Sequence, residues 1–266
     1  MKKIVDCITF FNENFIFEIR FNILKNFVDH FIVCESLFDH RGNSKKLNFD
    51  LKKFKSKKIK YIVHNIKFSK KNSPWDNQAE QREFILNSLN FIDSEDYVFF
   101  SDPDEIPNPA ILKNFDLKKK YGIFMQKCFN YKFNLFNPHE SPWEGTRVCR
   151  KKDLKSIDYM RQKIKIKNLK YSFLRFDKEK NIELIPDGGW HFNNIMHPKD
   201  ISIKLNTFAH SEFSSNKFSN PTIIKKKIKA RLDLFERGHI YIKKKLDEDL
   251  PEHIVKNKNK YKQWID

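Results

Sequence analysis

The sequence lacks several features that are typical of common functional classes. Its four cysteines, Cys7, Cys34, Cys128 and Cys149, are far apart, and none forms the Cys-x-x-Cys pair of a zinc or redox site. The sequence also contains no zinc finger and no glycine–aromatic ribonucleoprotein motif. Because the cysteines lie in apolar, strand-like runs, we predict buried thiols in a reducing compartment.

Long apolar runs are also missing. No uninterrupted run approaches the length of a membrane span, and Asp6 interrupts the N-terminal segment too early for a signal peptide. There is no internal repeat and no low-complexity linker. We therefore expect a cytoplasmic protein that is at most peripheral to a membrane.

Glycine is scarce, with 6 residues, whereas phenylalanine is abundant, with 27, so the 266-residue chain is long and aromatic enough to bury a full core. Its 52 Lys and Arg against 34 Asp and Glu give a net charge of +18. Such a charge attracts nucleic acid, anionic membranes or substrates with phosphate groups. The alternative is a general compositional bias, with the lysines simply solvated.

Apolar periodicity predicts alternating strands and helices in the first half of the chain. The predicted strands are residues 4–10, 31–34, 59–63 and 97–100, and the predicted helices are residues 15–27 and 74–90. Ser73 to Asp76 form a capping-box pattern, with proline at the first helical position. This alternation predicts an α/β fold with a mostly parallel central sheet flanked by helices.

The second half has shorter, aromatic strand-like segments, at residues 123–136, 146–150 and 182–185, which we expect to extend the sheet and shape a second substrate site. Helices are predicted at residues 200–210 and from Asn220 onward, the latter carrying apolar residues as far as Phe235. We predict a domain at 1–220 and a basic, helical C-terminal extension at 221–266. Residues 256–266 have so little apolar content that loose packing is expected.

A cluster of carboxylates follows the predicted strand at residues 97–100. Asp102, Asp104 and Glu105 are held in a turn by Pro103 and Pro107. Ligands bind at the carboxyl ends of strands in open α/β sheets, and two aspartates in a turn suit one Mg²⁺ or Mn²⁺. The alternative interpretation is an ordinary surface turn.

Several segments together resemble glycosyltransferase family 17, the β-1,4-N-acetylglucosaminyltransferases that add a bisecting residue to glycoprotein glycans. The matching segments are residues 6–13 with Arg20, 28–36, 42–47, 77–78 with 81–82, 101–107 and 188–192. Their order and spacing are far more specific than any single motif. The resemblance covers roughly residues 5–210.

The resemblance implies a GT-A type fold that binds a nucleotide-sugar donor, expected to be UDP-N-acetylglucosamine, and a reaction that inverts the anomeric carbon. It also implies Mn²⁺ or Mg²⁺ held by Asp102 and Asp104, with His191 as a third ligand or, alternatively, a core histidine. Arg82 and Asp102 are expected at the donor diphosphate, where positive charge would stabilise the leaving group.

Thr9, Asn12, Glu13, Glu35 and Arg41 complete the predicted donor site, since they follow or end the first two strands. For Asn12, Glu13 and Glu35 the alternative is a helix cap or a turn. Arg41 is either a phosphate ligand or a solvated loop residue. We interpret Arg20, in the first predicted helix, as one partner of a structural ion pair.

Inversion in one displacement requires a base that accepts the proton of the acceptor hydroxyl. Asp187 is the first candidate and Glu144 the second, while Trp190 is expected to stack on the acceptor sugar. Asp187 also fits an ordinary Asp-Gly turn. His210 and Glu212 are weaker site candidates.

The chain departs from animal members of the family, which carry a membrane anchor and stem. We therefore expect a polysaccharide or lipid-linked saccharide acceptor rather than an N-glycan, and the basic C-terminal helix is a candidate for contact with an anionic membrane. A metal-dependent nucleic-acid-binding or nuclease-like protein is the alternative. Such nucleases need a lysine two positions after the glutamate. In this chain Glu105 is followed by Ile106-Pro107, which counts against that alternative. A sugar-binding protein without activity is disfavoured because both aspartates are present.

Overall fold

A computed structural model describes residues 2–207 and 213–266 of the chain. Within these residues the strands are β1 (Ile4–Phe10), β2 (His30–Ser36), β3 (Ile59–His64), β4 (Tyr97–Ser101), β5 (Glu105–Pro107), β6 (Tyr121–Asn130), β7 (Leu135–Phe136), β8 (Trp143–Arg150), β9 (Ile182–Ile185), β10 (Gly189–Asn193) and β11 (Ile242–Lys243). The α-helices are α1 (Asn14–Leu24), α2 (Pro74–Glu83), α3 (Pro109–Leu112), α4 (Ile157–Lys163), α5 (Pro198–Thr207), α6 (Asn216–Ser219), α7 (Pro221–Lys229), α8 (Leu246–Asp249) and α9 (Glu252–Lys256). His210 and Glu212, and the end of the helix predicted at 200–210, lie outside the described residues.

All of these strands belong to one large sheet, whose main path runs β11-β7-β6-β8-β4-β1-β2-β3. The strands β4, β1, β2 and β3 are parallel, while β8 lies antiparallel between β4 and β6. Both β9 and β10 run parallel to β6, and β5 is antiparallel to β10. The predicted α/β fold with a large central sheet flanked by helices is confirmed.

Alternating side chains of the strands pack against opposite faces of this sheet. On β4, Phe99 joins a cluster with Ile19 and Ile23 of α1, whereas Phe100 joins a second cluster with Met160 of α4. Each such buried phenylalanine contributes about 1.5–3 kcal/mol by leaving water. All four cysteines are free and buried, as predicted from their apolar surroundings.

Three helix ends differ from the sequence prediction, and the first, that of α1, is at Leu24 rather than at residue 27. The predicted capping box is present, because the Ser73 side chain accepts from the Asp76 amide, but α2 ends at Glu83 and continues only as a 3₁₀ turn, Phe84–Ser88. The helix predicted as far as Phe235 ends at Lys229, because Arg231 has a φ of +56°. A left-handed residue cannot continue an α-helix.

The expectation that residues 256–266 pack loosely is wrong. Tyr261 is 1% exposed and Trp264 is 7% exposed, and both pack against Phe15 of α1. Aromatic rings bury much surface per residue, so two of them anchor a segment that is otherwise polar. The division at residue 220 stays a prediction, although β11 beyond it pairs with β7 in the same sheet.

Within residues 2–207 and 213–266, no helix combines the length and the apolar character needed to cross a bilayer.

Candidate functional site

The predicted site residues of the first half gather at one edge of the sheet. Because β1, β2 and β4 are parallel, Asn12, Glu35 and Asp102 all lie at or just beyond carboxyl ends of neighbouring strands. His191 of β10 lies opposite Glu105 of β5 and beside β6. The edge therefore combines carboxylates with an imidazole from the second half of the chain.

Arg161 of α4 is the cation at the centre of the carboxylate cluster. Its guanidinium donates to Asp102 Oδ2 at 2.5 Å and to both carboxylate oxygens of Glu105 at 2.8 and 3.2 Å. Trp143 Nε1 donates to Glu105 Oε1 at 2.7 Å, and the Asp102 amide donates to Glu105 Oε2 at 3.1 Å. Glu105 is fully buried, so its charge is compensated by these donors and it shapes the turn.

Arg82 of α2 approaches the same turn from the other side. Its Nη1 donates to Asp158 at 2.8 Å, and its Nη2 lies 3.9 Å from Asp102 Oδ1. Burial alone would raise the pKa of Asp102, but the charges of Arg161 and Arg82 outweigh it and lower the pKa to about 2. Asp102 is therefore anionic at neutral pH, with an arginine facing each oxygen.

Asp104 faces a different pair of side chains. Its Oδ1 lies 3.6 Å from His191 Nε2, and its Oδ2 lies 3.6 Å from Lys204 Nζ of α5. The other imidazole nitrogen, His191 Nδ1, is 3.7 Å from Cys128 Sγ, and the ring packs on Trp143 at 4.7 Å. His191 is only 8% exposed, and its Nε2 side is directed at the carboxylate.

The donor set fits a divalent cation in part. Ligand atoms at right angles around Mg²⁺ are about 3 Å apart, and Asp104 Oδ1 and His191 Nε2, at 3.6 Å, lie somewhat farther apart than two such ligands. Asp102 Oδ2 is instead bonded to Arg161. Within the described residues, no three His, Cys, Asp or Glu side chains are arranged to hold a metal ion. Substrate phosphates commonly supply the remaining ligands of Mg²⁺.

A cavity of about 360 Å³ opens beside Asp104. Asn12 and Glu13 after β1 form one wall, Lys204 contributes a cation, and Trp264 contributes an aromatic ring. Sites for small molecules typically measure roughly 300–1,000 Å³ and combine apolar walls with a few polar groups. This cavity has that size and that composition.

Glu13 is the buried carboxyl of this cavity. Its Oε2 accepts from the backbone amides of Phe11 and Asn12 at 2.8 and 2.9 Å. Burial raises the pKa of Glu13, against the lowering influence of Lys204 and of the two amides. The side chain shapes the turn after β1 and also lines the cavity, so both sequence interpretations are compatible with its position.

Glu35 has a saturated set of hydrogen bonds. Its Oε1 accepts from Lys45 Nζ and the Asn48 amide, and its Oε2 accepts from the Tyr61 hydroxyl and the Phe49 amide. With the side chain wholly buried, every oxygen is already engaged. This geometry favours the interpretation of Glu35 as an organiser of the 45–49 loop.

The two remaining predicted donor residues lie at the same end of the sheet. Thr9 is half-buried on β1 and pairs with Cys34 of β2. Arg41 is exposed and donates to the Leu205 carbonyl at 3.5 Å, which ties its loop to α5. Neither residue lines the cavity beside Asp104.

The two candidate bases occupy different places. Glu144 begins β8 next to Trp143, and its Oε2 accepts from Arg147 and from the Ile166 amide, both at 3.1 Å. Asp187 is exposed in a turn with φ of +47°, where its carbonyl accepts from the Asn108 side chain. Glu144 therefore adjoins Gly145, whose carbonyl accepts from Arg161 of the carboxylate cluster, whereas Asp187 lies beyond the end of β5 that is opposite to Glu105.

Trp190 is half-buried on β10, and its Nε1 donates to the Asp249 carbonyl at 2.6 Å. The preceding Gly189 has a φ of +117°, and a Cβ there would lie 2.2 Å from the Ile106 carbonyl oxygen. Only glycine permits this close pairing of β10 with β5. The glycine thus sets the direction of the strand that carries Trp190 and His191.

Sequence reasoning missed three residues of the site: Arg161, Lys204 and Trp264. Arg161 lies in a short helix, and its carboxylate partners are more than 50 positions away. Lys204 is one of many lysines, and nothing local distinguishes it from the others. Trp264 did carry a signal, because a tryptophan in a basic tail is more often buried than solvated.

One family comparison covers nearly the whole chain. The model for glycosyltransferase family 17 matches residues 1–264. No protein of curated function matches the chain.

Proposed function

The chain belongs to glycosyltransferase family 17 and is a glycosyltransferase, and we propose that it is an inverting, metal-dependent enzyme of GT-A type. The proposed donor is a nucleotide-sugar, UDP-N-acetylglucosamine, and the proposed acceptor is a polysaccharide or lipid-linked saccharide. The observation that carries this proposal is the cavity beside Asp104, which lies at the carboxyl edge of the parallel strands.

The cavity has suitable groups for a nucleotide-sugar. Phe15 and Trp264 offer aromatic walls for a base or sugar ring, and Asn12 offers hydrogen bonds. Lys204 in the cavity provides positive charge for a diphosphate, with Arg82 close to the adjacent Asp102. Positive groups fixed where the leaving group gains charge stabilise the transition state.

Asp104 and His191 are the proposed protein ligands of Mn²⁺ or Mg²⁺. Asp102 is proposed to act indirectly, by holding Arg161 and Arg82 near the position of the diphosphate. A bound cation would act as a Lewis acid on the diphosphate. The role of the chain is to hold Asp104 and His191 facing each other, which the pairing of β10 with β5 accomplishes.

Glu144 is the proposed base, in preference to Asp187. Its neighbour Gly145 accepts a hydrogen bond from Arg161, which also binds Asp102 and Glu105, whereas Asp187 is separated from Glu105 by the length of β5. A base must lie within hydrogen-bond reach of the acceptor hydroxyl. Since neither carboxylate lines the cavity beside Asp104, the choice rests on the shorter path from Glu144 to the carboxylate cluster. Asp187 remains the comparison residue for the test.

A second cavity, of about 780 Å³, supports the proposal of two substrates. It shares Trp264, His197 and Met196 with the first cavity and is otherwise lined by residues such as Tyr131 and Lys132. A saccharide acceptor entering there would approach the donor across the shared wall. Trp190 does not line either of these two cavities, and its contact with the acceptor stays a prediction.

The proposal is tested with a panel of UDP-, GDP-, CMP- and dTDP-sugars, measuring donor hydrolysis and thermal stabilisation with Mn²⁺ and with EDTA. We expect one donor to stabilise the protein only with metal, and Asp104→Ala to remove the effect. Asp116→Ala is the matched control, because Asp116 is an exposed aspartate. Equal responses of wild type and Asp104→Ala to every donor would reject the site.

The same donor panel also tests whether Glu144 or Asp187 is the base. We expect Glu144→Gln to lose transfer to a saccharide acceptor while still binding donor, and Asp187→Asn to retain transfer. The reverse pattern would make Asp187 the base. Binding to random oligonucleotides, with steep salt dependence and no response to any nucleotide-sugar, would instead favour the nucleic-acid alternative.

A further inference from the structure

We infer that residues 169–178 form a docking loop for an anionic membrane surface. The loop begins at the end of the 3₁₀ turn Ile166–Lys170 and precedes β9. This inference is independent of the donor and acceptor proposed above, because it rests on the surface of the protein and not on its cavities.

The loop presents large apolar side chains to water. Phe173 is 80% exposed, Phe176 is 88% exposed and Leu174 is 63% exposed, while Leu169 and Tyr171 are 38% and 37% exposed. Scattered single exposed apolar residues are normal, but five within ten positions are not. Such a concentration indicates a surface that is covered by another phase or molecule.

The backbone of the loop is organised by its own hydrogen bonds. The Arg175 amide donates to the Ser172 carbonyl at 3.0 Å, and the Phe176 amide donates to the Leu174 carbonyl at 3.0 Å. Lys180 Nζ donates to the Ser172 carbonyl, which closes the base of the loop. These hydrogen bonds satisfy polar groups of the loop backbone, while the apolar side chains remain exposed to water.

Positively charged residues are frequent in the loop and in the segments next to it. Between residues 163 and 180 the sequence has seven lysines and arginines, at 163, 165, 167, 170, 175, 178 and 180, against the acids Asp177 and Glu179. Arg175 and Lys178 both stand over the Tyr171 ring, at 5.3 and 5.9 Å from its centre. Aromatic and aliphatic side chains beside lysine and arginine are the combination that enters the headgroup region of anionic bilayers.

The charge pattern favours a lipid surface over a protein partner. Within residues 169–178 the positive side chains are Lys170, Arg175 and Lys178, and the one acid, Asp177, pairs with Arg175 and Lys178. The remaining net positive charge suits an anionic lipid surface, whereas lysine is depleted in protein interfaces. The C-terminal helix α7, which the sequence suggested for the same role, is less suitable. Its Ile224 is fully buried and its Ile228 packs in the core, so its lysines have no exposed apolar face beside them.

The loop is also connected to the catalytic edge. The segment leading into it contacts Glu144 and Arg147, through the Ile166 amide and the Ile164 carbonyl. Membrane docking by the loop would therefore hold the enzyme at a surface through a segment that touches the active site.

Cosedimentation with vesicles tests the inference. The vesicles contain either phosphatidylcholine alone or equal parts of phosphatidylcholine and phosphatidylglycerol, and the full chain is used at moderate salt. We expect wild type to sediment with the mixed vesicles. We expect Phe173→Ser combined with Phe176→Ser to reduce the partition coefficient at least about tenfold.

Two matched variants separate the loop from general effects. Ile240→Ser removes another exposed apolar side chain, 62% exposed, and is expected to bind like wild type. Lys167→Gln combined with Lys170→Gln is expected to weaken binding only to the anionic vesicles. Unchanged melting temperatures establish that the variants fold.

Wild type that stays in the supernatant, or a double phenylalanine variant that sediments like wild type, would overturn the inference. Concentration-dependent dimerisation that disappears in the double variant, without vesicle binding, would also overturn it in favour of a protein partner. Loss of donor response with vesicle binding retained would reject only the proposed function.

Discussion

Arg20 of α1 lies directly over Asp6 of β1, donating from Nε at 2.7 Å and from Nη2 at 2.5 Å, with both side chains almost wholly buried. The same guanidinium donates to the Ser101 hydroxyl and to the Glu105 carbonyl. One residue therefore links the first strand to the turn that carries the carboxylates. The interpretation of this arginine as a structural ion pair is confirmed.

We expect Arg20→Ala to lower the free energy of unfolding by about 3–5 kcal/mol, because it leaves Asp6 buried without its partner. Urea denaturation followed by circular dichroism measures the change. Lys118→Ala, which breaks an exposed ion pair with Asp116, is the control and is expected to leave the midpoint unchanged. A similar midpoint for Arg20→Ala and wild type would show that the buried pair adds no stability.

Arg161 is expected to position Asp102 and Glu105 for catalysis. Arg161→Lys keeps the charge but loses the bidentate contact with Glu105, so we expect kcat/KM for the donor to fall at least about tenfold. The loss should appear mainly in kcat, since Arg161 holds the turn rather than lining the cavity. Lys163→Gln, an exposed change on the same helix, should leave both constants unaltered.

An unchanged kcat in Arg161→Lys would show that the turn keeps its geometry without the fork of hydrogen bonds. A loss confined to KM would instead place Arg161 in donor binding.

The sequence predicted those parts of the fold that local patterns determine. The strand before Asp102, the capping box at Ser73 and the buried cysteines are set by residues within a few positions of each other. Strand β10 was missed, because its pairing depends on Gly189 fitting against a carbonyl 83 positions earlier in the chain, that of Ile106. Close approach between distant segments leaves no periodic signal.

The candidate site likewise combines residues that local sequence predicts with residues that only distant contacts bring in. Asp102 and Asp104 follow a strand whose apolar run is evident, so their edge of the sheet was predictable. The cations that face them, Arg161 and Lys204, come from helices more than 50 positions away. In a chain with 52 lysines and arginines, composition does not distinguish the two cations of the candidate site from the solvated ones.

Histidine protonation is expected to weaken the fold at mildly acidic pH. Burial lowers the pKa of His40 from 6.5 to about 4, although its hydrogen bond to Gln81, at 2.9 Å, opposes the shift. Between these values the unfolded chain binds a proton that the folded chain does not. Stability from the neutral His40 is therefore complete above 6.5 and is lost progressively as the pH falls towards 4.

His40→Gln removes this titration. We expect wild type to be more stable than the variant near neutral pH, with the difference shrinking by about 2 kcal/mol between about pH 7.5 and about pH 5. Urea titrations at both pH values, with equal m-values as the check on two-state unfolding, measure it. A constant difference would show that the pKa of His40 is the same in the folded and the unfolded chain.

Trp264 is expected to connect the C-terminus to both stability and donor binding. Its ring packs on Phe15 at 5.2 Å and on His197 at 4.8 Å, and it lines both cavities. Trp264→Ala is expected to cost about 3–5 kcal/mol and to raise the KM for the donor, whereas Trp264→Phe should keep most of the stability.

The exposed Lys258→Ala is the control from the same segment, and thermal melts with donor kinetics measure the three variants. Loose packing of residues 256–266 would predict equal melting temperatures for Trp264→Ala and Lys258→Ala. A large loss of stability in Trp264→Ala alone would instead establish that the Trp264 ring helps to hold the polar C-terminal segment, and a raised KM for the donor would place the same ring in the donor pocket.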